Sequence, residues 1–413
     1  MSNSGQPSLF CLAAADPDAL RAEVARVLAG SSPQAPAASG PARLALRCDD
    51  AAELRERLER ARELLAAGER PRRGEGLFLS RGWTSDALAF LFPGQGSQYV
   101  GMGDALRSLP GFDAALQEAD GVASVALGRS LRERFSLGRA APAAAAALSE
   151  ELTATENAQP AVGLIDAAAH AALTRLGLRP RYLAGHSYGE LVALHAGGAY
   201  DLSELFALSA ERGRLLGGAS ARAPGKMLAL RATPRRAADL LEGIEGVAVP
   251  ANLNAPRQTV VSGSAEAIDA LAARCQALDL PARPIPTACA FHSPLMAPVA
   301  AEWRAFLAER AFAAPAPERV LSSVEAAPYP ADPAAVRRTL AEQITAPVRW
   351  VETVEALYAR GARVFLEVGP KQVLSGLVRK ILGKRDHLAL NLDPHPGRDP
   401  LAHLLELLGE LYC

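Results

Sequence analysis

Uninterrupted apolar runs and helically spaced apolar positions alternate along most of the chain. Residues 87–92 and 182–184 are short apolar runs, and residues 364–368 are apolar except for Glu367; such stretches are typical of buried parallel strands. Residues 161–176 predict a long apolar helix whose small residues suit close packing, and residues 351–360 predict another helix. Strands that alternate with helices in this way predict an α/β fold with a parallel-sheet core.

The pattern divides the chain into four segments. Residues 1–85 combine strand-like and helix-like stretches and predict a small α/β linker or adaptor module. The main domain comprises residues 86–223 and 287–395. Between these parts, residues 224–286 have the order β-α-β-β-α-β, which predicts an inserted ferredoxin-like subdomain. Residues 396–413 are predicted to form a C-terminal helix and tail.

Composition narrows the possible partners. The chain has 413 residues, 49% of them hydrophobic, and 44 basic against 45 acidic residues leave a net charge of -1. This balance predicts no general affinity for nucleic acid or membranes. A basic loop at residues 70–74 is either a docking patch for an acidic partner or, as charged loops more often are, simply solvated. No secretory signal pattern is present at the N-terminus, so we expect a cytoplasmic protein.

The cysteines give no sign of a metal site or a disulfide framework. There are five, they are scattered, and none forms a C-x-x-C pair. We therefore expect no metal in this protein.

The sequence around Ser187 indicates a nucleophilic serine. An apolar run leads into Gly185-His186-Ser187-Tyr188-Gly189, and a helical pattern follows. Strand, sharp turn and helix in that order are the context of a nucleophile elbow, where glycines on both sides allow backbone to approach backbone. A chance pentapeptide in a chain with 34 glycines is the competing interpretation.

Two further loops are candidates for the same site. Gln95 lies between two glycines directly after the strand at 87–92, where a backbone N–H can face a reacting carbonyl, although an ordinary strand-to-helix turn explains the pattern equally well. His292 lies on a loop before a proline and is free to face a cleft as a general base. His186 adjoins the serine, but neighbours along a turn diverge, so we expect it to pack or to hydrogen-bond.

Several motifs in the same order resemble one enzyme family. The chain is similar to malonyl-CoA:acyl-carrier-protein transacylases and to the acyltransferase domains of fatty-acid and polyketide synthases. The resemblance covers roughly residues 86–395, and residues 1–85 resemble, less specifically, the linker between a ketosynthase and an acyltransferase. The matching motifs are Phe92-Pro93-Gly94-Gln95-Gly96-Ser97-Gln98, Thr155-Glu156-Asn157-Ala158-Gln159-Pro160-Ala161, Gly185-His186-Ser187-Tyr188-Gly189-Glu190, Ala210-Glu211-Arg212-Gly213-Arg214, Phe291-His292-Ser293 and Glu367-Val368-Gly369-Pro370.

The resemblance implies a role for each matching residue. Ser187 would be the nucleophile and His292 its general base. The backbone N–H groups of Gln95 and Tyr188 would form the oxyanion hole. Arg212, which follows Ser187 by 25 residues, would hold the free carboxylate of a malonyl group, since a guanidinium can bind a carboxylate through two hydrogen bonds.

Other positions are assigned supporting roles by the same resemblance. A backbone carbonyl orients the histidine in this family, and within residues 343–350 we expect it to be Ala346 O. Gln159 matches a position near the site. The implied fold is a large α/β-hydrolase-like domain with the ferredoxin-like insert.

Acyl selectivity is associated with the residues beside the base. Phe291 resembles the malonyl type, because a phenyl ring narrows the space where an α-methyl group would lie. Cys289 and Tyr188 depart from the common pattern, since malonyl-type enzymes often have His and an aliphatic residue or Gln at these positions. A phenol at 188 would crowd the acyl pocket or hydrogen-bond to the acyl chain.

The sequence therefore predicts a ping-pong malonyl transferase. Its expected partners are malonyl-CoA, an acyl carrier protein and an adjoining ketosynthase. No cofactor is expected, since coenzyme A enters as part of the thioester substrate. Two alternatives stay open: an acyl hydrolase, meaning an esterase or an editing thioesterase, and a non-catalytic docking scaffold.

Overall fold

A computed structural model describes residues 7–32, 40–69, 75–80, 83–135, 145–221, 224–287, 289–394 and 397–413. The basic loop at residues 70–74 lies outside these ranges. The chain divides into two compact units, of which one comprises Met1–Thr84 with Pro394–Cys413 and the other Ser85–Asp393. Within the described ranges, none of the helices has the length and apolar character needed to span a bilayer.

The helices and strands follow the expected alternation over most of the chain. In chain order they are β1 (Ser8–Ala14), α1 (Pro17–Leu28), β2 (Ala42–Cys48), α2 (Ala51–Ala67), β3 (Leu77–Leu79), β4 (Leu88–Phe92), α3 (Phe112–Leu127), α4 (Leu131–Phe135), α5 (Ala145–Thr153), α6 (Thr155–Arg175), β5 (Tyr182–Gly185), α7 (Gly189–Ala196), α8 (Leu202–Gly217), β6 (Lys226–Leu230), α9 (Pro234–Asp239), β7 (Ala248–Ala255), β8 (Gln258–Gly263), α10 (Ala265–Ala277), β9 (Ala282–Ile285), α11 (Ala297–Ala308), β10 (Val320–Ser322), β11 (Ala327–Pro328), α12 (Pro333–Glu342), α13 (Trp350–Ala359), β12 (Val364–Glu367), α14 (Val373–Leu382), β13 (Leu388–Asn391) and α15 (Pro400–Tyr412).

The smaller unit is a three-stranded antiparallel sheet in the order β1-β2-β3. Leu44 and Leu46 of β2 pack with the buried faces of α1 and α2. Successive side chains of a strand point to opposite faces, and α15 covers the other face of this sheet. The sequence predicts that residues 396–413 form a C-terminal helix and tail apart from the other segments. Instead the structure places α15 in the N-terminal unit, where a Cβ on its Gly409 would lie 2.4 Å from the Phe78 ring.

The larger unit is built on a six-stranded sheet in the order β11-β10-β5-β4-β12-β13. Its neighbouring strands are parallel except for β10 and β11. The apolar runs that predicted parallel strands form β4, β5 and β12, which lie side by side at the centre. Trp350 and Val354 of α13 pack with Leu377 and Val378 of α14 against one face of this sheet.

Residues 226–285 form a second sheet in the order β7-β8-β6-β9 in which all neighbours are antiparallel. Helices α9 and α10 connect its strands on one side, where Leu228, Leu230 and Val261 form a core with Ile268 and Leu271. These residues are inserted into the larger unit between α8 and α11.

Candidate active site

Ser187 lies on a sharp turn between β5 and α7. Its φ of 51° is in the left-handed region, which L-residues rarely adopt and which here marks a strained turn. A Cβ on Gly185 would lie 2.0 Å from the carbonyl carbon of Gly189, and one on Gly189 would lie 2.1 Å from the carbonyl oxygen of Phe92. Only glycine fits at both positions, so the predicted elbow geometry is present.

His292 brings its ring to the serine from a distant part of the chain. Its Nε2 lies 2.8 Å from Ser187 Oγ, and its Nδ1 lies 2.9 Å from Gln343 O and 3.1 Å from Ala346 O. Because carbonyl oxygens only accept, Nδ1 carries the proton and donates to them, which leaves Nε2 as the acceptor for the serine hydroxyl. The ring is therefore oriented as a base toward Ser187.

Burial keeps that ring neutral. Burial of His292, and then the positive charge of Arg212, lower the pKa of the imidazole to about 3. A neutral imidazole at neutral pH has a free lone pair on Nε2, as proton abstraction from a hydroxyl requires. The orienting carbonyl was expected at Ala346, and Gln343 O accepts as well.

Two backbone N–H groups at the serine have no acceptor. Within the described residues, neither Gln95 N nor Tyr188 N donates a hydrogen bond. The loops that carry them meet closely, because a Cβ on Gly94 would lie 2.5 Å from His186 O and 3.3 Å from Tyr188 N. Adjacent strands β4 and β5 end at the same edge, which brings the two loops together. These N–H groups are available to an oxyanion.

Arg212 is a buried cation held by neutral groups. It is 3% exposed, and burial lowers its pKa to about 10, so the guanidinium stays charged at neutral pH. Nη1 donates to Gln159 Oε1 at 2.8 Å and Nη2 to Gln343 Oε1 at 3.0 Å. Within the described residues it forms no ion pair, and its Nε has no partner. An anion that enters the site could therefore pair directly with this cation.

Gln343 connects the three candidate groups, and sequence reasoning missed it. Its carbonyl accepts from His292, its Oε1 accepts from Arg212, and its Nε2 donates to Ser187 O at 2.9 Å. The same Nε2 donates to the fully buried Glu190, which also accepts from Ser323 and Tyr329. The only sequence signal was that Gln343 begins the segment in which the orienting carbonyl was expected.

The remaining predicted residues surround the pair. His186 Nε2 donates to Asn254 Oδ1 at 2.8 Å and its ring meets the Trp350 ring edge-on, so it packs and hydrogen-bonds as predicted. Gln159 links Arg212 to Gln95, since its Nε2 donates to Gln95 Oε1 at 3.3 Å.

Phe291 is half-buried and packs against Met227, Ala251 and Val260 of the four-stranded sheet β7-β8-β6-β9. Cys289 is buried, its Sγ lies 3.9 Å from Leu216 O, and burial raises the pKa of its thiol. Among the described residues, no three His, Cys, Asp or Glu side chains are grouped so that they could hold a metal ion.

Tyr188 differs from its expected position. Its side chain is fully buried, and the hydroxyl donates to Ser209 Oγ at 2.7 Å. The expectation that the phenol crowds the acyl pocket or bonds to the acyl chain is therefore not met. The hydroxyl is engaged between α6 and α8 because the turn at Ser187 directs successive side chains to different sides.

Comparisons with known proteins agree with this geometry. The model of the acyl transferase domain family matches residues 89–394. The chain is 34% identical to the malonyl CoA-acyl carrier protein transacylase of Bacillus subtilis (strain 168) over 314 residues, which cover 74% of this chain and 94% of that protein. It is 36% identical to the polyketide synthase GfsB of Streptomyces halstedii over 79% of its own length but only 6% of that protein.

A solved structure extends the likeness to nearly the whole chain. The acyltransferase domain from the second module of the salinomycin polyketide synthase has a TM-score of 0.73 and 30% identity, and the match covers 97% of this chain and 92% of that one. With the elbow, the Ser187–His292 pair and a family model over residues 89–394 in agreement, this chain belongs to the acyl transferase domain family and is an acyltransferase.

Proposed function

We propose that this protein transfers a malonyl group from coenzyme A to the phosphopantetheine thiol of an acyl carrier protein through a Ser187 ester. The observation that carries the proposal is the Ser187–His292 pair at 2.8 Å together with the buried Arg212, which among the described residues forms no ion pair with a carboxylate. The relatives that span the same length are named for this reaction. Polyketide synthases as a whole are far longer, so their complete activity is not assigned to this chain.

The first half-reaction forms the acyl ester. His292 Nε2 takes the proton of Ser187 as Oγ attacks the thioester carbon. The resulting oxyanion accepts from the N–H groups of Gln95 and Tyr188, and the loss of one such donor costs about 3 kcal/mol of transition-state stabilisation. The carbon–sulfur bond then breaks, and the leaving coenzyme A sulfur takes the proton from His292.

The second half-reaction repeats these steps in reverse. The phosphopantetheine thiol gives its proton to His292 Nε2 and attacks the carbonyl carbon of the ester. The same two N–H groups stabilise the second oxyanion. The bond to Ser187 Oγ breaks, the serine recovers its proton from His292, and the malonyl group leaves as a thioester of the carrier protein.

Arg212 supplies the preference for an acyl group that ends in a carboxylate. In the free protein its two terminal nitrogens donate to the amide oxygens of Gln159 and Gln343. A malonyl carboxylate offers charged acceptors in the same plane, and charge-assisted hydrogen bonds are stronger than bonds to neutral amides. An acetyl group would leave the buried charge without an anion. Phe291 beside the base narrows the space near the α-carbon.

The face of the four-stranded sheet against which Phe291 packs continues into a basic groove. Beyond the end of β6 and next to Gln258 at the start of β8, this face opens into a cavity of about 690 Å³. Its exposed cations, for which the described residues show no ion pair, are Arg231, Arg257, Arg283 and Lys380. This groove would attract the phosphates of coenzyme A and an acidic carrier protein.

The finer fold description is also a proposal. The strand order β7-β8-β6-β9 with helices after β6 and β8 supports a ferredoxin-like subdomain at residues 224–286. A serine on a strand-to-helix elbow of a parallel sheet supports an α/β-hydrolase-like large domain, formed by residues 86–223 and 287–395. A separate unit at the N-terminus is consistent with a linker that adjoins a ketosynthase.

Intact-protein mass spectrometry tests the proposal directly. After incubation with malonyl-CoA, we expect a malonyl adduct on Ser187 that a carrier protein then removes as its own thioester, and Ser187→Ala should form none. Free malonate as the main product in the presence of carrier protein would favour a hydrolase. No adduct with malonyl-CoA or any other acyl-CoA would favour a non-catalytic scaffold.

A further inference from the structure

The phenol of Tyr188 joins three helices behind the candidate nucleophile. Tyr188 directly precedes α7, and its hydroxyl donates to Ser209 Oγ of α8 at 2.7 Å. Ser209 in turn donates its one O–H to Leu205 O at 2.7 Å, so Tyr188 is the donor in the bond between the two hydroxyls. Both side chains are completely buried. A buried hydroxyl pair of this kind resists displacement, because either group would lose a partner that water cannot replace.

Helix α6 is shaped to receive this phenol. A Cβ on Gly163 would lie 2.0 Å from Tyr188 Oη and 3.1 Å from Cζ. Real Cβ atoms do not approach so closely, so the tyrosine at 188 requires a glycine at 163. Glycine costs about 1 kcal/mol relative to alanine inside a helix. The contact explains why α6 carries that unfavourable residue at this position.

Ser209 and Arg212 are three residues apart on α8 and therefore share one face of the helix. The hydrogen bond from Tyr188 thus fixes α8 one turn before the guanidinium. Tyr188 also supplies the N–H proposed for the oxyanion hole. Tyr188 therefore acts at both ends of the acyl group. Its backbone N–H faces the thioester carbonyl, and its hydroxyl holds the helix whose Arg212 binds the terminal carboxylate.

We propose that the Tyr188–Ser209 hydrogen bond sets the position of Arg212 relative to Ser187 and so determines the selectivity for acyl groups that end in a carboxylate. This inference rests on the proposed function above and assigns Tyr188 a positioning role through its side chain. The oxyanion N–H is held independently by the tight backbone contacts at Gly94, Gly185 and Gly189. Loss of the hydroxyl should therefore affect carboxylate binding more than the chemical step.

Steady-state kinetics of Tyr188→Phe and Ser209→Ala test the proposal. Each variant should raise the KM for malonyl-CoA by about two- to tenfold, the range of one net hydrogen bond. For Ser209→Ala, which lies outside the reacting groups, kcat should change by less than about twofold, and the kinetic constants for acetyl-CoA, which has no carboxylate for Arg212, should stay the same. Equal changes for both substrates, or an unchanged malonyl-CoA KM, would overturn the inference.

The two variants should differ in stability in a specific order. Ser209→Ala leaves Tyr188 Oη buried without its acceptor, whereas Tyr188→Phe leaves Ser209 bonded to Leu205 O. Ser209→Ala should therefore lower Tm more than Tyr188→Phe, and the double variant should resemble Tyr188→Phe. Tyr200→Phe is the matched control, because it removes another buried hydroxyl that bonds to Leu191 O, and it should leave the ratio of malonyl to acetyl activity unchanged.

A glycine pair tests the fit at α6. Gly163→Ala should raise the malonyl-CoA KM when Tyr188 is present, and Gly163→Ala in a Tyr188→Leu background should add no further increase. Gly121→Ala is the helix control, since nothing lies within 4 Å of its added Cβ. If the wild-type protein forms no Ser187 ester, the proposed function fails. A wild-type ester with no coupling between positions 163 and 188 would refute only the positioning role.

Discussion

Arg212 is the residue that most directly separates a malonyl transferase from a general acyltransferase. It is a buried cation on α8 whose terminal nitrogens donate to the amide oxygens of Gln159 and Gln343. Arg212→Ala should lower kcat/KM for malonyl-CoA by about 30-fold or more, as for other buried charge pairs, and leave acetyl-CoA much less affected. Arg214→Ala is the control, because Arg214 is exposed and pairs with Glu211 on the same helix. Equal losses for both thioesters would contradict a carboxylate role.

The depressed pKa of His292 predicts an unusual pH profile. Its imidazole is kept neutral by burial and by the charge of Arg212, with a pKa of about 3. With a neutral acyl thioester, kcat/KM should therefore stay flat from about pH 8 down to about pH 5. Removal of the positive charge in Arg212→Ala should raise the pKa and move the acid limb upward. A wild-type limb near the ordinary histidine value of about 6.5 would show that the ring is not desolvated in solution.

Asp166 on α6 predicts a pH dependence of stability. It is fully buried, and neither carboxyl oxygen has a partner among the described residues. Burial, and then the charge of Glu367, raise its pKa well above the usual range. The native state therefore keeps a proton that the unfolded chain releases, and stability falls as pH rises above about 4.

Asp166→Asn removes this titration. The difference in unfolding free energy between Asp166→Asn and the wild type should grow with pH, by up to about 1.4 kcal/mol per pH unit between the unfolded and native pKa values. Urea denaturation at a series of pH values measures it. Asp239→Asn, at an exposed position, is the control. A difference that does not vary with pH would mean that Asp166 is ionised in the native protein.

At the scale of elements, the site depends on where neighbouring strands end. Strands β4 and β5 are parallel and in register, with Phe92 opposite Gly185, so the loops of Gln95 and Ser187 meet at one edge. The four-stranded sheet β7-β8-β6-β9 borders the same site, since Phe291, next to His292 in the chain, packs on its face. The basic groove lies further along that face.

The groove gives a prediction at this scale. Arg283→Ala and Arg231→Ala should raise the KM for the carrier protein several-fold and reduce its salt dependence, because long-range attraction governs encounter with an acidic partner. Lys226→Ala is the matched control, since Lys226 lies on β6 of the same sheet but pairs with Asp269 at 2.7 Å. A carrier-protein KM that does not respond to the arginine substitutions would place the docking surface elsewhere.

At the scale of the whole molecule, the two ends of the chain form one unit. Helix α15 packs on the sheet of β1, β2 and β3, and its Leu407 is buried. Leu407→Ala should destabilise this unit by about 2–5 kcal/mol, the usual cost of truncating a buried leucine. Hydrogen exchange in β2 should become faster, while malonyl ester formation at Ser187 continues. Val125→Ala, at a position that is 86% exposed, should change neither quantity.

The parts of the fold that could be predicted are those with a strong local pattern. The apolar runs predicted β4, β5 and β12, and the helical pattern predicted α13 to within one residue and most of α6. Several elements have no counterpart in the sequence prediction, among them α3, α11 and β13, because small or mixed residues weaken their periodicity. The site residues quoted from motifs lie at one site. Ser209 had no local signal that marked it, and Gln343 was marked only by its place in the segment expected to hold the orienting carbonyl.

The sequence by itself determined the strand, turn and helix around Ser187 and the family to which the chain belongs, because these depend on neighbours within a few residues. Only the tertiary structure decided which groups meet there. His292 lies 105 residues from Ser187 and the side chain of Gln343 lies 156 residues from it. Contacts across such separations depend on how strands order and helices pack, and local patterns do not encode them. The same holds for Tyr188, whose buried hydroxyl lies against Gly163 of α6 and bonds to Ser209 of α8.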